Sequence, residues 1–72
     1  MRISTAKDFG ELIRSIRKKA ELTQAQLAAA SGTGPRFLRE LENGKATCQL
    51  EKALFVAQML GIKFEAQAPL DE

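Results

Sequence analysis

The sequence predicts an all-α bundle of about four to five helices, closed by one short C-terminal strand. Three observations carry that prediction. Apolar residues recur at three-and-four spacing in several separate stretches. A threonine precedes each stretch, at Thr5, Thr23, Thr33 and Thr47, while Gly32, Gly44 and Gly61 follow the later ones. One segment alone, "IKFEAQ" at 62–67, alternates apolar and polar residues with the period of a strand.

The first helix reads from about Asp8 to Ala20, with Thr5 and Asp8 as a capping box in which Asp replaces Glu. Phe9, Leu12, Ile13 and Ile16 form its apolar face. Arg14, Lys18 and Lys19 read as a solvated face, and cations near the C-terminal end suit the helix dipole. Thr23 caps the second helix, Gln26 completes a capping box, and Leu22 and Leu27 are placed for a hydrophobic staple. The alanine-rich "AQLAAAS" ends at Gly32, where a left-handed residue is cheapest as glycine.

The third helix begins near Gly34 or Pro35 with Thr33 as a possible cap, and ends at Asn43-Gly44. Leu38 and Leu41 face inward with Phe37 beside them, so Pro35, Arg36, Arg39, Glu40 and Asn43 share the outward face. The fourth helix is expected from about Cys48 to Leu60, capped by Thr47, with Leu50, Ala53, Leu54, Ala57 and Leu60 as its core stripe. Phe55, Val56 and Met59 widen that stripe, and either core or interface accommodates them. The strand at 62–67 needs a mate, either "RIS" at 2–4 or a second chain, because a lone strand is unstable in water. Pro69 stops it.

Seventy-two residues are read as one domain: an arm at 1–7, a helical bundle at 8–61, a strand at 62–67 and an acidic tail at 68–72. The tail reads as disordered, with a protein contact as the sharper alternative. The net charge of +2 hides an asymmetry, +5 in residues 1–64 and −3 in residues 65–72, and a basic body suits a polyanion. With no His and one Cys, the usual zinc sites are excluded; no Gly-rich phosphate loop or paired acid–base carboxylates appear, so neither catalysis nor a cofactor is expected. No apolar run approaches membrane-spanning length and no secretory leader is visible. Cys48, the single cysteine, fits a reducing cytoplasm; it reads as an apolar filler, with a dipole-activated redox thiol as the minor alternative.

Two helices joined by a tight glycine turn, the second presenting arginines, follow the helix-turn-helix plan. A reading helix must be apolar on its inner side, to be held rigidly. It must carry long donors on its outer side, because arginine bonds guanine bidentately in the major groove. Residues 33–43 meet both demands.

"LTQAQLAAASG" followed by "FLRELENGK" resembles the Cro/C1-type (XRE) helix-turn-helix family of repressors, over roughly residues 9–61. The resemblance implies a lambda-repressor-like bundle and a homodimer on double-stranded operator DNA. It places Gln24 on a phosphate while bracing the reading helix. Arg36 and Glu40 fall where the family reads bases, with Pro35 beside them; Asn43, Lys45 and Thr47 fall where it grips the backbone, and Thr33, at the start of the third helix, is counted with the DNA-binding residues. Arg39 is divided between DNA contact and plain solvation. Arg17 matches a position that pairs with Glu42. "GPRFLRELENGKATCQLEKALFVAQMLGIKFE" is similar to the HipB-like antitoxins. That branch implies strands pairing across the dimer axis, with Phe55, Met59, Ile62 and Phe64 at the interface, and a HipA-type kinase toxin as partner. A stand-alone phage-type repressor and a protein-interaction module without DNA binding are the other readings. Two departures stand out. Gly34 and Pro35 replace residues that often make polar contacts, which shifts specificity toward Arg36 and Arg39. Glu21 stands where the family usually has glycine, and a left-handed glutamate costs roughly 1 kcal/mol, so this turn is expected to close differently.

Overall fold

The structure, a computed structural model, describes residues 2–69. Within them run α1 (Ala6–Lys19), α2 (Gln24–Ser31), α3 (Pro35–Glu42) and α4 (Leu50–Met59). Helix α3 packs against both α1 and α2, and α2 packs against α4.

The caps explain where each helix starts. The Thr5 hydroxyl accepts from the Asp8 N–H at 3.0 Å, so α1 begins at Ala6, two residues before the expected start at Asp8. The return bond runs from Ser4 N–H to the Asp8 carboxylate rather than from the cap residue itself. Both arms of the α2 capping box are made, at 3.0 and 2.8 Å between Thr23 and Gln26. Thr33 does not cap α3: Gly34 occupies that position without a side-chain bond, Pro35 follows it, and the Thr33 hydroxyl turns to Ser31.

All four helices end in the same left-handed closure. Glu21, Gly32, Gly44 and Gly61 have φ of 60°, 69°, 81° and 77°. Each is followed by a residue whose N–H reaches back to a carbonyl in the last turn: Leu22 to Arg17, Thr33 to Ala28, Lys45 to Glu40 and Ile62 to Ala57. The turn at Glu21 therefore closes as the glycine-bearing ones do. The expected alternative closure is overturned, because the paired bonds from Glu21 and Leu22 satisfy carbonyls that an open turn would leave unpaired.

Ile13, Leu27, Ala28, Leu38, Leu41, Ala53, Val56 and Ala57 make the core, so every helix contributes. The largest of these contribute about 1.5–3 kcal/mol each by leaving water. Gly10 makes the α1–α3 contact possible. A Cβ there would stand 2.3 Å from the Leu41 carbonyl oxygen and 2.8 Å from that of Glu42.

Two expectations are corrected. Helix α4 starts at Leu50 after Gln49, and Thr47 does not cap it. Its core stripe is Ala53, Val56 and Ala57, with Leu60 partly buried, whereas Leu50 is 69% exposed and Leu54 half-buried. The later start leaves Leu50 at the open first turn, while Cys48 packs against the core from the preceding loop. Residues 62–67 form no strand among the described residues. A strand exists only through paired backbone groups; the Ile62 N–H is taken by Ala57 in the α4 closure, and neither 2–4 nor any other described segment pairs with 63–67. Ile62 instead packs against the core, and the Phe64 ring stacks on Phe9 at 5.6 Å. Of the acidic tail expected at 68–72, positions 70–72, with both acids Asp71 and Glu72, lie outside the described residues. Among the described residues, no helix is long and apolar enough to cross a membrane.

Candidate nucleic-acid interface

Helix α3 is divided lengthwise. Leu38, Leu41 and Glu42 are buried, while Pro35, Arg36, Arg39 and Asn43 are exposed and Glu40 is half-buried. The division follows from the three-and-four periodicity: the two leucines are three apart and share a side, and the arginines occupy the other.

One buried ion pair holds the inner side. Arg17 Nε donates to Glu42 Oε2 at 2.6 Å and Nη2 to Oε1 at 3.0 Å, with the side chains 9% and 1% exposed. The remaining Arg17 amino group donates to the Leu22 carbonyl at 2.8 Å, and Gln24 Nε2 donates to Glu42 Oε1 at 3.0 Å. Thus α1, the turn into α2, α2 itself and the end of α3 meet at one ion pair. The bond to Glu42 raises the Arg17 pKa, against the opposing effect of burial. A charge pair removed from water is tolerable only with its lone pairs and protons satisfied, and this network supplies those partners.

The outer side carries two groupings. Arg14, Gln24, Arg39 and Asn43 border one open cleft with Thr23, and Arg17 and Glu42 also line it. The second grouping is a triad: Glu40 accepts from Arg36 Nε at 3.3 Å and from Lys45 Nζ at 3.2 Å. The Lys45 bond is the main cause holding the Glu40 carboxyl below its ordinary range. Pro35 stands exposed at the start of α3, Thr33 is half-buried beside Ser31, and Thr47 is exposed in the loop before α4; none of them joins either grouping.

Arg14, expected on a solvated face, is indeed exposed, and it also borders the cleft with Gln24 and Arg39, one turn before Arg17. The three-residue spacing from the arginine that pairs with Glu42 was the available signal. Cys48 does not show the thiolate character of a redox site: burial is the first cause raising its pKa.

Away from α3, Phe55, Met59 and Phe64 are each 45% exposed, and Ile62 and Phe64 border a shallow groove with Leu54. Ile62 is half-buried against its own core, so of the expected interface residues it presents the least surface.

Comparison with known proteins identifies the family and the fold. A sequence model of the helix-turn-helix family covers residues 13–67. The uncharacterized HTH-type transcriptional regulator y4mF of Sinorhizobium fredii is 46% identical over 68 residues, spanning 94% of this chain and 90% of that protein. Among solved structures, a single-substitution variant of HipB in an O2 20mer complex superimposes with a TM-score of 0.85 at 19% identity, over 96% of each chain. A HipB–O4 20mer complex gives 0.85 at 17% identity, over 96% of this chain and 97% of that one. The chain belongs to the helix-turn-helix family, in its Cro/C1 (XRE) type, with a HipB-like fold.

Proposed function

We propose that this chain is a sequence-specific DNA-binding transcriptional repressor that acts as a homodimer. The observation that carries the reading is the division of α3: buried leucines and the Arg17–Glu42 joint on one side, Arg36 and Arg39 open on the other. Arg36 reads base edges in the major groove with Pro35 and Glu40 beside it. Gln24, at the start of α2, and Arg39 and Asn43 across the cleft hold a phosphate, with Arg14 at the rim. Thr33, Lys45 and Thr47 extend the backbone grip on either end of α3. The similarity to an HTH-type transcriptional regulator and to HipB in complex with O2 and O4 20mers supports this reading.

The dimer is built from the opposite end of the molecule. Phe55, Met59 and Phe64 leave apolar surface exposed, and 63–67 has backbone groups without backbone partners among the described residues. Pairing those segments between two copies, with Ile62 at the start of the seam, completes strands and covers the aromatic rings. Two reading helices about 34 Å apart then meet successive major grooves of a palindromic site. HipB likeness over nearly the whole chain supports one further step: an antitoxin that represses its own operon and binds a HipA-type kinase toxin.

Binding to the native upstream DNA by mobility shift tests the first reading. Affinity falls steeply between low and moderate salt as phosphate counterions are released, and both Arg36→Ala and Gln24→Ala weaken it. No binding to any native promoter fragment at low salt would leave a protein-interaction module as the better account. Co-purification with the product of an adjacent kinase gene tests the antitoxin step; DNA binding without such a gene or complex leaves a stand-alone repressor.

A further inference from the structure

A carboxylate at the centre of a face that meets DNA needs a physical reason. Glu40 accepts from Arg36 on one oxygen and from Lys45 on the other. Helix stability does not supply the reason. Acids favour the first turn of a helix and bases the last, yet Arg36 is the second residue of α3 and Glu40 lies in its last turn. The pair runs against the dipole. Packing does not supply it either, since the Arg36 side chain is 82% exposed. Raw affinity for a polyanion is lowered by a negative charge between two cations.

Geometry does supply a reason. Glu40 engages Arg36 through Nε, and both terminal amino groups of the guanidinium have no partner among the described residues. Those two groups form the end-on fork that fits guanine O6 and N7. The carboxylate is itself fixed from the other side: Lys45 is held next to it by its backbone N–H on the Glu40 carbonyl at 3.1 Å, and its ammonium takes the second oxygen. A long, otherwise free side chain is thereby restrained before any DNA arrives, which reduces the ordering lost on binding.

We infer that Glu40 is a positioning residue that aims Arg36 at a guanine in the major groove, and that its charge weakens the grip of Arg36 and Lys45 on non-cognate phosphates. This rests on the DNA-binding reading of α3 given above.

The test is selection of binding sites from a random duplex pool by the wild type, Glu40→Ala, Glu40→Gln, Arg36→Ala and the Arg36→Ala/Glu40→Ala double variant, with thermal unfolding alongside. Glutamine keeps an oxygen for the Arg36 Nε–H but loses the charge; alanine loses both. Glu40→Ala lowers the guanine preference at the Arg36 position about ten-fold. It also raises affinity for random duplex about three-fold and steepens the salt slope by about one. Glu40→Gln raises non-specific affinity alike but keeps most of the guanine preference. The double variant selects no more weakly than Arg36→Ala alone, and unfolding temperatures stay together. An unchanged guanine preference in Glu40→Ala overturns the inference. So does loss of a cytosine preference with guanine intact, which makes Glu40 a direct reader of the cytosine amino group. A wild type that selects no motif at low salt brings down the DNA-binding reading and this one together, whereas a motif selected equally by wild type and Glu40→Ala brings down only the role of Glu40.

Discussion

Two glutamates on α3, two positions apart, each meet an arginine, and the two pairs have opposite characters. Glu42 and Arg17 are almost wholly buried and 2.6 Å apart; Glu40 and Arg36 are 31% and 82% exposed and 3.3 Å apart. The chemistry is the same, and water makes the difference. Where water is excluded, neither charge can exchange its partner for solvent, so the pair becomes a fixed joint between α1 and α3. Where water remains, the pair contributes little to stability, and the terminal amino groups of Arg36 stay open to a ligand. One helix therefore holds its position through one glutamate and keeps an adjustable charge on the other.

The sharpest way to break this comparison is to remove each carboxylate in turn. Glu42→Ala leaves Arg17 buried without its counter-charge and destabilises the fold by about 3–5 kcal/mol. That is a large share of the stability a small domain has, which is roughly 0.05–0.15 kcal/mol per residue. Glu40→Ala changes stability by less than about 0.5 kcal/mol. Urea denaturation of both variants checks the pair of values. Equal costs would mean that burial does not separate the two sites. The Arg17 shift gives the same joint a pH signature. Its folded pKa is raised, so its contribution is complete below the ordinary arginine pKa and lost only as pH rises through the higher folded one. Stability from this group is therefore level across the neutral range.

The next effect asks whether the ion pair or the close helix approach carries the joint. Gly10→Ala places a methyl against the Leu41 and Glu42 carbonyls, where the nearest oxygen is 2.3 Å away. Backbone cannot yield there as a flexible side chain could. The expected loss is about 2 kcal/mol, the strain of overpacking less what alanine gains in helix propensity. A loss in urea denaturation, with the helical far-ultraviolet signal intact, assigns the approach its own share. A stabilised Gly10→Ala protein would show that α1 and α3 tolerate a wider gap.

Much of this was legible in the sequence; the caps expected at Thr33 and Thr47 are local signals the structure does not follow, while the larger misses share a cause. Thr23 with Gln26, Leu38 with Leu41, and the stops at Gly32, Gly44 and Gly61 are local signals, decided by residues within one turn of each other, and the structure follows them. The Arg17–Glu42 pair spans 25 positions and was reached through family resemblance, since no local pattern joins those residues. Helix α4 was misread because its apolar residues are too many: an excess on all sides leaves the choice of inner face to the neighbouring helices, and they select Val56 over Leu50. The expected strand is not formed within the described residues for a related reason. Alternation states which face of a segment is apolar, but pairing needs a second backbone, and the chain does not bring one alongside 62–67 among the described residues. Of the candidate site, the outward face of α3 was readable by period, whereas the cleft uniting Arg14 with Gln24, Arg39 and Asn43 depends on three helices meeting.

A smaller effect separates residues that serve one network from those that serve both. Arg36→Ala lowers affinity for the selected operator by about 1–3 kcal/mol and leaves unfolding unchanged, because its side chain is largely exposed and, among the described residues, hydrogen-bonds to Glu40 alone. Gln24→Ala lowers both, since Gln24 donates to buried Glu42 and borders the outer cleft; about 1 kcal/mol of stability goes with that bond. Parallel titration of DNA and denaturant on the two variants distinguishes them. Gln24→Ala protein of full stability would place that side chain on the outer network alone.

The smallest effect concerns the turn that leads into Gln24. Glu21 has φ of 60°, in the region where a Cβ crowds the following carbonyl, while the three other helix ends in this conformation use glycine. The side chain is exposed, and among the described residues no side-chain hydrogen bond of Glu21 offsets the strain. Glu21→Gly removes roughly 1–2 kcal/mol of left-handed strain but also frees the unfolded chain, which returns about half of that. The net expectation is a gain of about 0.5–1 kcal/mol, or several degrees in the unfolding temperature of a domain this small. Arg17 bonds the Leu22 carbonyl next to this turn, so relaxing Glu21 also tests whether strain there holds the buried joint in register. If Glu21→Gly gains stability and Arg36→Ala still weakens DNA binding to the same degree in that background, the joint and the outer face are independent. If the gain is accompanied by weaker DNA binding, the strained turn is part of how α3 is aimed.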